Sequence, residues 1–390
     1  MVTHVTAGPR SPVAAFSQRV FAELPRADQR RWAHAYVVSL LATPGKKSVR
    51  RLAATVSDSP TAFLSLHQFI NSSPWDWSPV RTELARWATR RMSPQACVID
   101  RAVLRKRGSH SCGAHSRFVA SAGHRAICQV GFAAFLVTAE EAVPVDWRLL
   151  LPGLWGSDPA HRLRARIPDH VPAALPEHLV LDLADSLARA TGDSALPVVA
   201  DLPDDIDAAA VAHGLDRRRR GFLLAVPGTL PVTEAATAGH AALPVGPVVR
   251  VGSLVAPAQA GHMHVSAAVG AGRSRPGTVF SRLVHLPGPD ARLPRGTYRI
   301  LAVALPHERA PSRWWLTNLT RPRADTLRDL AGLTARAGHS LEALESGFGL
   351  ADFGGRSYPG WHHHMTMMSA AYAYSRLGDH WDQADLTPAP

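Results

Sequence analysis

Ala96-Cys97-Val98-Ile99-Asp100 and Leu196-Pro197-Val198-Val199-Ala200-Asp201 are two short apolar runs, each closed by an aspartate. An apolar run of this length between turn signals reads as a buried strand. A carboxylate at the carboxyl end of such a strand sits at the sheet edge, where open α/β folds place their ligands. Outward from these runs, Ala126 to Thr138 is rich in Val, Ile and Phe and reads as a strand. Beyond a Glu140-Glu141 turn, Val143 to Leu151 reads as another. A helix over Leu175 to Ala190 leads into the run ending at Asp201, and a second helix, Asp205 to His213, precedes a strand over Gly221 to Val226.

Three strands joined by hairpins, then helix, strand, helix, strand, is the order of a ribonuclease-H-like α/β core with a mixed sheet. In that order the first and fourth strands are neighbours, so Asp100 and Asp201 are expected side by side at one end of the sheet. Taken singly, either aspartate reads as a strand-end residue capping the next turn. Taken together they read as metal ligands. Phosphodiester chemistry is served by two Mg²⁺ ions roughly 3.5–4 Å apart, and Mg²⁺ takes hard oxygen ligands such as carboxylates from separate elements. The expected cofactor is Mg²⁺ (or Mn²⁺).

Upstream, residues 14 to 93 read as helical, with apolar residues at helical spacing in Trp32, Tyr36, Val37, Leu40, Leu41 and in Val49, Leu52, Ala53, Val56. Breaks fall at Thr43-Pro44-Gly45, Ser57-Asp58-Ser59-Pro60 and Ser72-Ser73-Pro74. Downstream, residues 227 to 320 carry short strand-like pieces: Val248 to Val255, Met263 to Val269, Val279 to Leu286 and Thr297 to Ala304. Helix returns from Arg323 through Leu344, and a final helix runs from about Trp361 to Leu377. The expected organisation is a helical N-terminal DNA-binding region (1–95), the first part of the core (96–226), a β-rich insertion (227–320), C-terminal helices completing the core (321–378) and a tail (379–390).

The 390-residue chain is 46% hydrophobic and 19% charged, a globular composition. Lys+Arg number 43 against 31 Asp+Glu, a net charge of +12 that favours a polyanionic partner. High Ala, Arg, Pro and Gly content suggests a GC-rich genome, so the distribution of Arg counts for more than its total. No segment approaches the roughly 18 apolar residues needed to span a bilayer, and Met1 to Arg10 lacks the apolar core of a signal peptide. The cysteines, Cys97, Cys112 and Cys128, are odd in number and lack Cys-x-x-Cys spacing, so a reduced cytoplasmic, nucleoid-associated setting is expected and zinc is not.

Three clusters concentrate the positive charge. Lys46, Lys47, Arg50 and Arg51 open a helix, where cations oppose the helix dipole. Phosphate contact explains that placement, and so does a solvated basic face. Arg105, Lys106 and Arg107 follow the first aspartate, and Arg217, Arg218, Arg219 and Arg220 follow the second. Both runs are expected to neutralise DNA phosphates beside the acidic centre. His362-His363-His364 heads a helix, where consecutive side chains diverge and one metal cannot easily use all three, and reads as surface with room for one phosphate contact. Trp75-Asp76-Trp77 follows a Pro turn and reads as a helix cap with packing ahead of the alternative, stacking on a base.

Several of these residues resemble a known family. Gly45-Lys46-Lys47-Ser48-Val49 and Leu66 through Asp76 look like the N-terminal region of DDE-type insertion-sequence transposases common in actinobacteria. The likeness continues in Val98-Ile99-Asp100 with Lys106-Arg107-Gly108, in Cys128-Gln129-Val130-Gly131, and in Leu149 to Pro152 with Trp155. It returns in Val199-Ala200-Asp201, in Leu223 to Pro227, and in Gly349-Leu350 with Trp361 and His364-Met365-Thr366. The resemblance implies a ribonuclease-H-like core that cuts transposon ends with Mg²⁺ and joins them to target DNA. Asp100 and Asp201 match its first two catalytic acids. Its third is a Glu on a helix ahead of the Gly-Leu pair, where counting back without gaps reaches Gly338 and His339. Glu342 matches if about one helical turn is missing, and Glu345 shares its helical face. The family's acidic residue after the first Asp is here Arg101, and its following aromatic motif is Ala102-Val103-Leu104.

The expected protein is a transposase-like DNA-binding protein with Asp100, Asp201 and Glu342 as catalytic metal ligands. Its expected partner is double-stranded DNA, bound at transposon-end inverted repeats by a homodimer. The alternatives are a domesticated or decayed relative that binds DNA without cleaving it, and a metal-dependent nuclease without strand transfer.

Overall fold

The structure, a computed structural model, describes residues 11–378 apart from 58, 120–121, 204, 239–240, 256–277, 288–295 and 305–312. The strand expected at Met263 to Val269 and the tail from Asp379 to Pro390 lie outside the described residues.

The N-terminal region folds as helices α1 (Pro12–Val20), α2 (Ala27–Ala42), α3 (Val49–Val56), α4 (Ala62–Asn71) and α5 (Trp77–Met92). Each expected break separates two of them. Ser11 caps α1 ahead of Pro12, and the Asp76 carboxylate accepts from Ser78 N to start α5. Trp75 stacks on Phe69 and on His363, so the Trp75-Asp76-Trp77 segment caps and packs as its sequence suggests.

The core follows as β1 (Ala96–Arg105), β2 (His115–Val119), β3 (His124–Val137) and β4 (Ala142–Leu149). Then come α6 (Leu154–Ser157), α7 (Pro159–Ala165), α8 (Pro176–Thr191), β5 (Val198–Ala200), α9 (Ala208–Arg217) and β6 (Phe222–Val226). β3 pairs antiparallel with β1 along residues 128–137, with β2 along 124–128 and with β4 along 131–137. β1, β5 and β6 run parallel. The resulting order, β4-β3-β1-β5-β6, is that of a ribonuclease-H-like sheet, as expected from the sequence.

One boundary differs. β1 does not end at Asp100 but continues to Arg105. Up to Ile99 every residue is buried, and beyond Asp100 burial alternates, so one face of the strand opens at the aspartate. The fully apolar half is legible as a strand, whereas the second half, alternating and basic, is not.

The stretch expected as an insertion contributes β7 (Pro231–Ala238), β8 (Ala241–Arg250), a 3₁₀ turn (Val251–Val255), β9 (Thr278–His285), β10 (Tyr298–Ala304) and β11 (Trp314–Thr317). β11 pairs with β6, so these strands extend the core sheet in the order β6-β11-β10-β9-β7-β8.

The chain closes with α10 (Ala324–Gly347) and α11 (Tyr358–Leu377). α10 packs across β1, β4 and β5, while α11 packs on β4, α2, α4 and α5 and joins the helical region to the sheet. α11 is buried from Gly360 through Tyr374. Trp361 meets Trp147 edge to face at 6.3 Å. Gly131 on β3 makes room for it, since a Cβ there would lie 3.1 Å from the Trp361 ring.

Candidate acidic centre and basic groove

The parallel pairing of β1 and β5 sets Ile99 opposite Ala200. One residue further, Asp100 and Asp201 stand side by side and line one open cleft with Val98, Ile99, Pro203, Arg313, Thr334 and Ala335. The Asp100 carboxylate accepts from Arg101 N at 2.7 Å. Burial raises its pKa above the ordinary carboxylate value, partly countered by that hydrogen bond and by the Arg101 charge. Arg101 itself turns to Asp205, at 2.9 Å, and Arg117 joins it there. Asp201 is ion-paired with Arg313, whose Nε lies 3.1 Å from Oδ2 and whose terminal nitrogen meets Oδ1.

The structure does not bring Glu342 or Glu345 to this pair. Both are exposed on α10, whose cleft-lining residues are Thr334 and Ala335. At 1.5 Å rise per residue the helix has moved about 12 Å past Thr334 by the time it reaches Glu342. The Thr334 hydroxyl donates to Ala331 O within its own helix. Two aspartates on adjacent strands suit one hard divalent cation. A compact two-ion centre needs a further carboxylate. Among the described residues no group of three or more His, Cys, Asp or Glu side chains is placed to hold a metal. The donor set therefore does not fit two ions, and Arg313 already neutralises Asp201.

The basic clusters separate on folding. Lys46, Arg105, Arg107, His110 and Arg356 line one groove, so side chains far apart in sequence meet there. Arg356 joins the groove without any signal in its own surroundings in the sequence. Arg50 and Arg51 are exposed nearby on α3, Arg50 over the Phe63 ring at 5.0 Å and Arg51 donating to Pro44 O. One member of the expected set lies outside the groove lining and serves the fold. Lys47 is buried and its ammonium donates to Leu40 O at 2.7 Å and to Thr43 O, capping the carboxyl end of α2. Lys106 lines the groove as well, where it donates to Phe353 O at 3.0 Å and burial lowers its pKa to about 8.

The arginine run after α9 is not beside the acidic centre. β6 starts at Phe222, level with Val198, so Arg217 to Arg220 lie at the amino edge of the parallel strands while the aspartates lie at the carboxyl edge. Arg220 is buried and donates to Leu196 O, and Arg218 pairs with Asp185 at 2.9 Å. Arg217 and Arg219 remain exposed.

The histidine triplet is not on the surface. His362, His363 and His364 are all buried in α11. His362 stacks on Trp77 at 4.4 Å and faces the buried Arg81, which donates to its carbonyl at 2.9 Å. Arg81 also pairs with Asp146 at 3.0 Å, tying α5 to β4. Tyr358 through Leu377 contains no charged residue before Arg376, and a helix without a polar face is a buried helix. That was the signal in the sequence.

A family described as DDE superfamily endonuclease matches residues 19–250, a span that includes Asp100 and Asp201 and ends before α10. No curated protein matches the chain. Among solved structures, the piggyBac transposase synaptic complex with hairpin DNA, determined by cryo-EM, aligns with 96% of this chain and 80% of its own at 11% identity and a TM-score of 0.35. So low a score carries no further argument.

Proposed function

Because the chain belongs to the DDE superfamily endonuclease family, we propose that it is a transposase-like protein that holds duplex DNA without cutting it. The observation that carries this reading is the face α10 turns to the aspartates, which offers Thr334 and Ala335 and no carboxylate. Lys46, Arg50, Arg51, Arg105, Arg107 and Arg356 are the proposed phosphate contacts. Their exposed charges line or border one groove, and Arg105 lies on the same strand as Asp100, about 17 Å further along. A duplex following β1 would pass from the groove to the cleft. Asp100 and Asp201 are the proposed ligands of a single divalent ion, Mg²⁺ or Mn²⁺, which would lend positive charge to a nearby phosphate.

A cleaving transposase is the second reading, favoured by the side-by-side placement of Asp100 and Asp201. Inverted repeats flanking the gene are the first DNA to try under either reading, and a homodimer would bind them in two-to-one proportion. Fluorescence anisotropy of labelled duplex across a salt series tests the DNA-binding part. Log affinity falling linearly with log salt is expected, since binding releases counterions. An affinity indifferent to salt would overturn it.

A further inference from the structure

We infer that the acidic centre is a divalent-metal site short of one ligand, and that the missing ligand belongs at Gly338. The inference rests on the reading above, in which the two aspartates are metal ligands, and it names the position that leaves them incomplete.

Residues on an α-helix turn by about 100° each. Gly338, four residues beyond Thr334 and three beyond Ala335, therefore points between the two residues that line the cleft. Long helical side chains lean toward the helix amino terminus and cover the turn before their own Cα. A carboxylate carried at position 338 would thus lie over the turn of Thr334 and Ala335, facing Asp100 and Asp201. Glu342 and Glu345 point to the same side of α10, but the turns they cover lie further from the cleft.

Nothing in the fold requires glycine at this position. A Cβ built on Gly338 meets no heavy atom within 4 Å, and its backbone is not in the left-handed region. Gly214 provides the contrast, since a Cβ there would fall 2.5 Å from the Leu181 side chain. The cleft lined by Asp100, Asp201, Thr334 and Ala335 is open, the space around a Cβ at 338 is free, and residue 338 carries no side chain. A ligand at that point, with Asp100 and Asp201, would give oxygen donors from two strands and a helix, the donor type preferred by Mg²⁺ and Mn²⁺.

The test is titration of the full chain with Mn²⁺ alone, by calorimetry and by electron paramagnetic resonance of the free ion, without DNA. Wild type, Gly338→Glu, Gly338→Gln and Gly338→Glu combined with Asp100→Asn are compared, with circular dichroism to confirm that each is folded. Gly338→Glu is expected to bind Mn²⁺ at least tenfold more tightly than wild type. Gly338→Gln and the double variant are expected to stay at the wild-type level. A folded Gly338→Glu protein no tighter than Gly338→Gln overturns the inference, as does wild type binding Mn²⁺ as tightly as Gly338→Glu. Cleavage by wild type in a separate assay would instead sink the non-cutting function and leave the metal titration as the test of the ligand position.

Discussion

Arg313 joins Asp201 through one edge of its guanidinium, with Nε 3.1 Å from Oδ2 and a terminal nitrogen on Oδ1. Arg313 directly precedes β11, and β11 pairs with β6. The inserted strands thus deliver a cation to the carboxylate that β5 presents. An arginine here does part of what a metal ion would do, since it neutralises Asp201 without bridging to a second carboxylate.

Removing that arginine is expected to strengthen divalent-ion binding only modestly. The pair is half exposed, and such pairs contribute about 0–1 kcal/mol. Arg313→Ala should raise Mn²⁺ affinity by less than about tenfold, read by calorimetry. A larger gain would mean that Arg313, and not the missing ligand, is what limits metal binding.

Charge removal in the groove should act on DNA binding, and charge removal elsewhere should not. Lys46→Gln, Arg105→Gln and Arg107→Gln are each expected to weaken duplex binding and to lower the salt slope by about one. Arg217→Gln and Arg219→Gln, at the opposite edge of the sheet, should leave both unchanged. Lys47→Gln is expected to lower the unfolding midpoint in urea instead, because its ammonium caps α2. A salt slope unaffected by the groove variants would remove the groove from the DNA path.

Arg81 is a buried connector between the helical region and the sheet, bonded to Asp146, Thr366, Trp147 O and His362 O. Breaking a buried pair typically costs about 3–5 kcal/mol. Arg148 also pairs with Asp146 at 2.8 Å, so Asp146 keeps a partner and the loss should fall near the lower figure. Arg81→Ala is expected to destabilise by about 3 kcal/mol in equilibrium denaturation. A loss under about 1 kcal/mol would place the junction's stability elsewhere, in the packing of α11.

Stability should fall in mild acid. Burial lowers the His364 pKa from 6.5 to about 4. His364 Nε2 donates to Gly349 O at 3.0 Å while Nδ1 accepts from the Tyr36 hydroxyl, an arrangement of the neutral ring. Between those two pKa values the unfolded chain binds more protons than the folded one. Stability therefore rises with pH through that window and is lost as pH falls from about 6.5 toward about 4. The gap corresponds to a loss on the order of 3 kcal/mol. Urea denaturation across this range should show a shallower pH dependence for His364→Gln than for wild type. Equal slopes would contradict the neutral buried ring.

The neighbouring aspartates were legible because an apolar run is a local signal and the strand order then dictates which runs are adjacent. Asp100 beside Asp201 follows from those two facts. The Arg313–Asp201 pair was not legible, as it spans 112 positions and depends on how an insertion returns to the sheet. Lys47 shows a different limit. Its charge suggests solvent, yet it folds back onto helix carbonyls that offer acceptors otherwise unsatisfied. Arg217 to Arg220 follow Asp201 in sequence, which suggests the acidic centre, but a parallel crossover returns the chain to the opposite edge of the sheet. The histidine triplet suggests surface by residue type, whereas the uncharged helix that carries it is buried. Glu342 and Glu345 share a helical face with Gly338, and only the position of α10 along β1 separates them from the cleft.

Incubation of supercoiled and linear duplex DNA, including the flanks of the gene, with the purified chain and Mg²⁺ or Mn²⁺ tests the central claim most directly. Wild type, Asp100→Ala and Asp201→Ala are compared under conditions where anisotropy shows the DNA to be bound. The expected result is retained binding, with no metal-dependent nick or break from any of the three. Metal-dependent cleavage by wild type that disappears in Asp100→Ala and Asp201→Ala would contradict it.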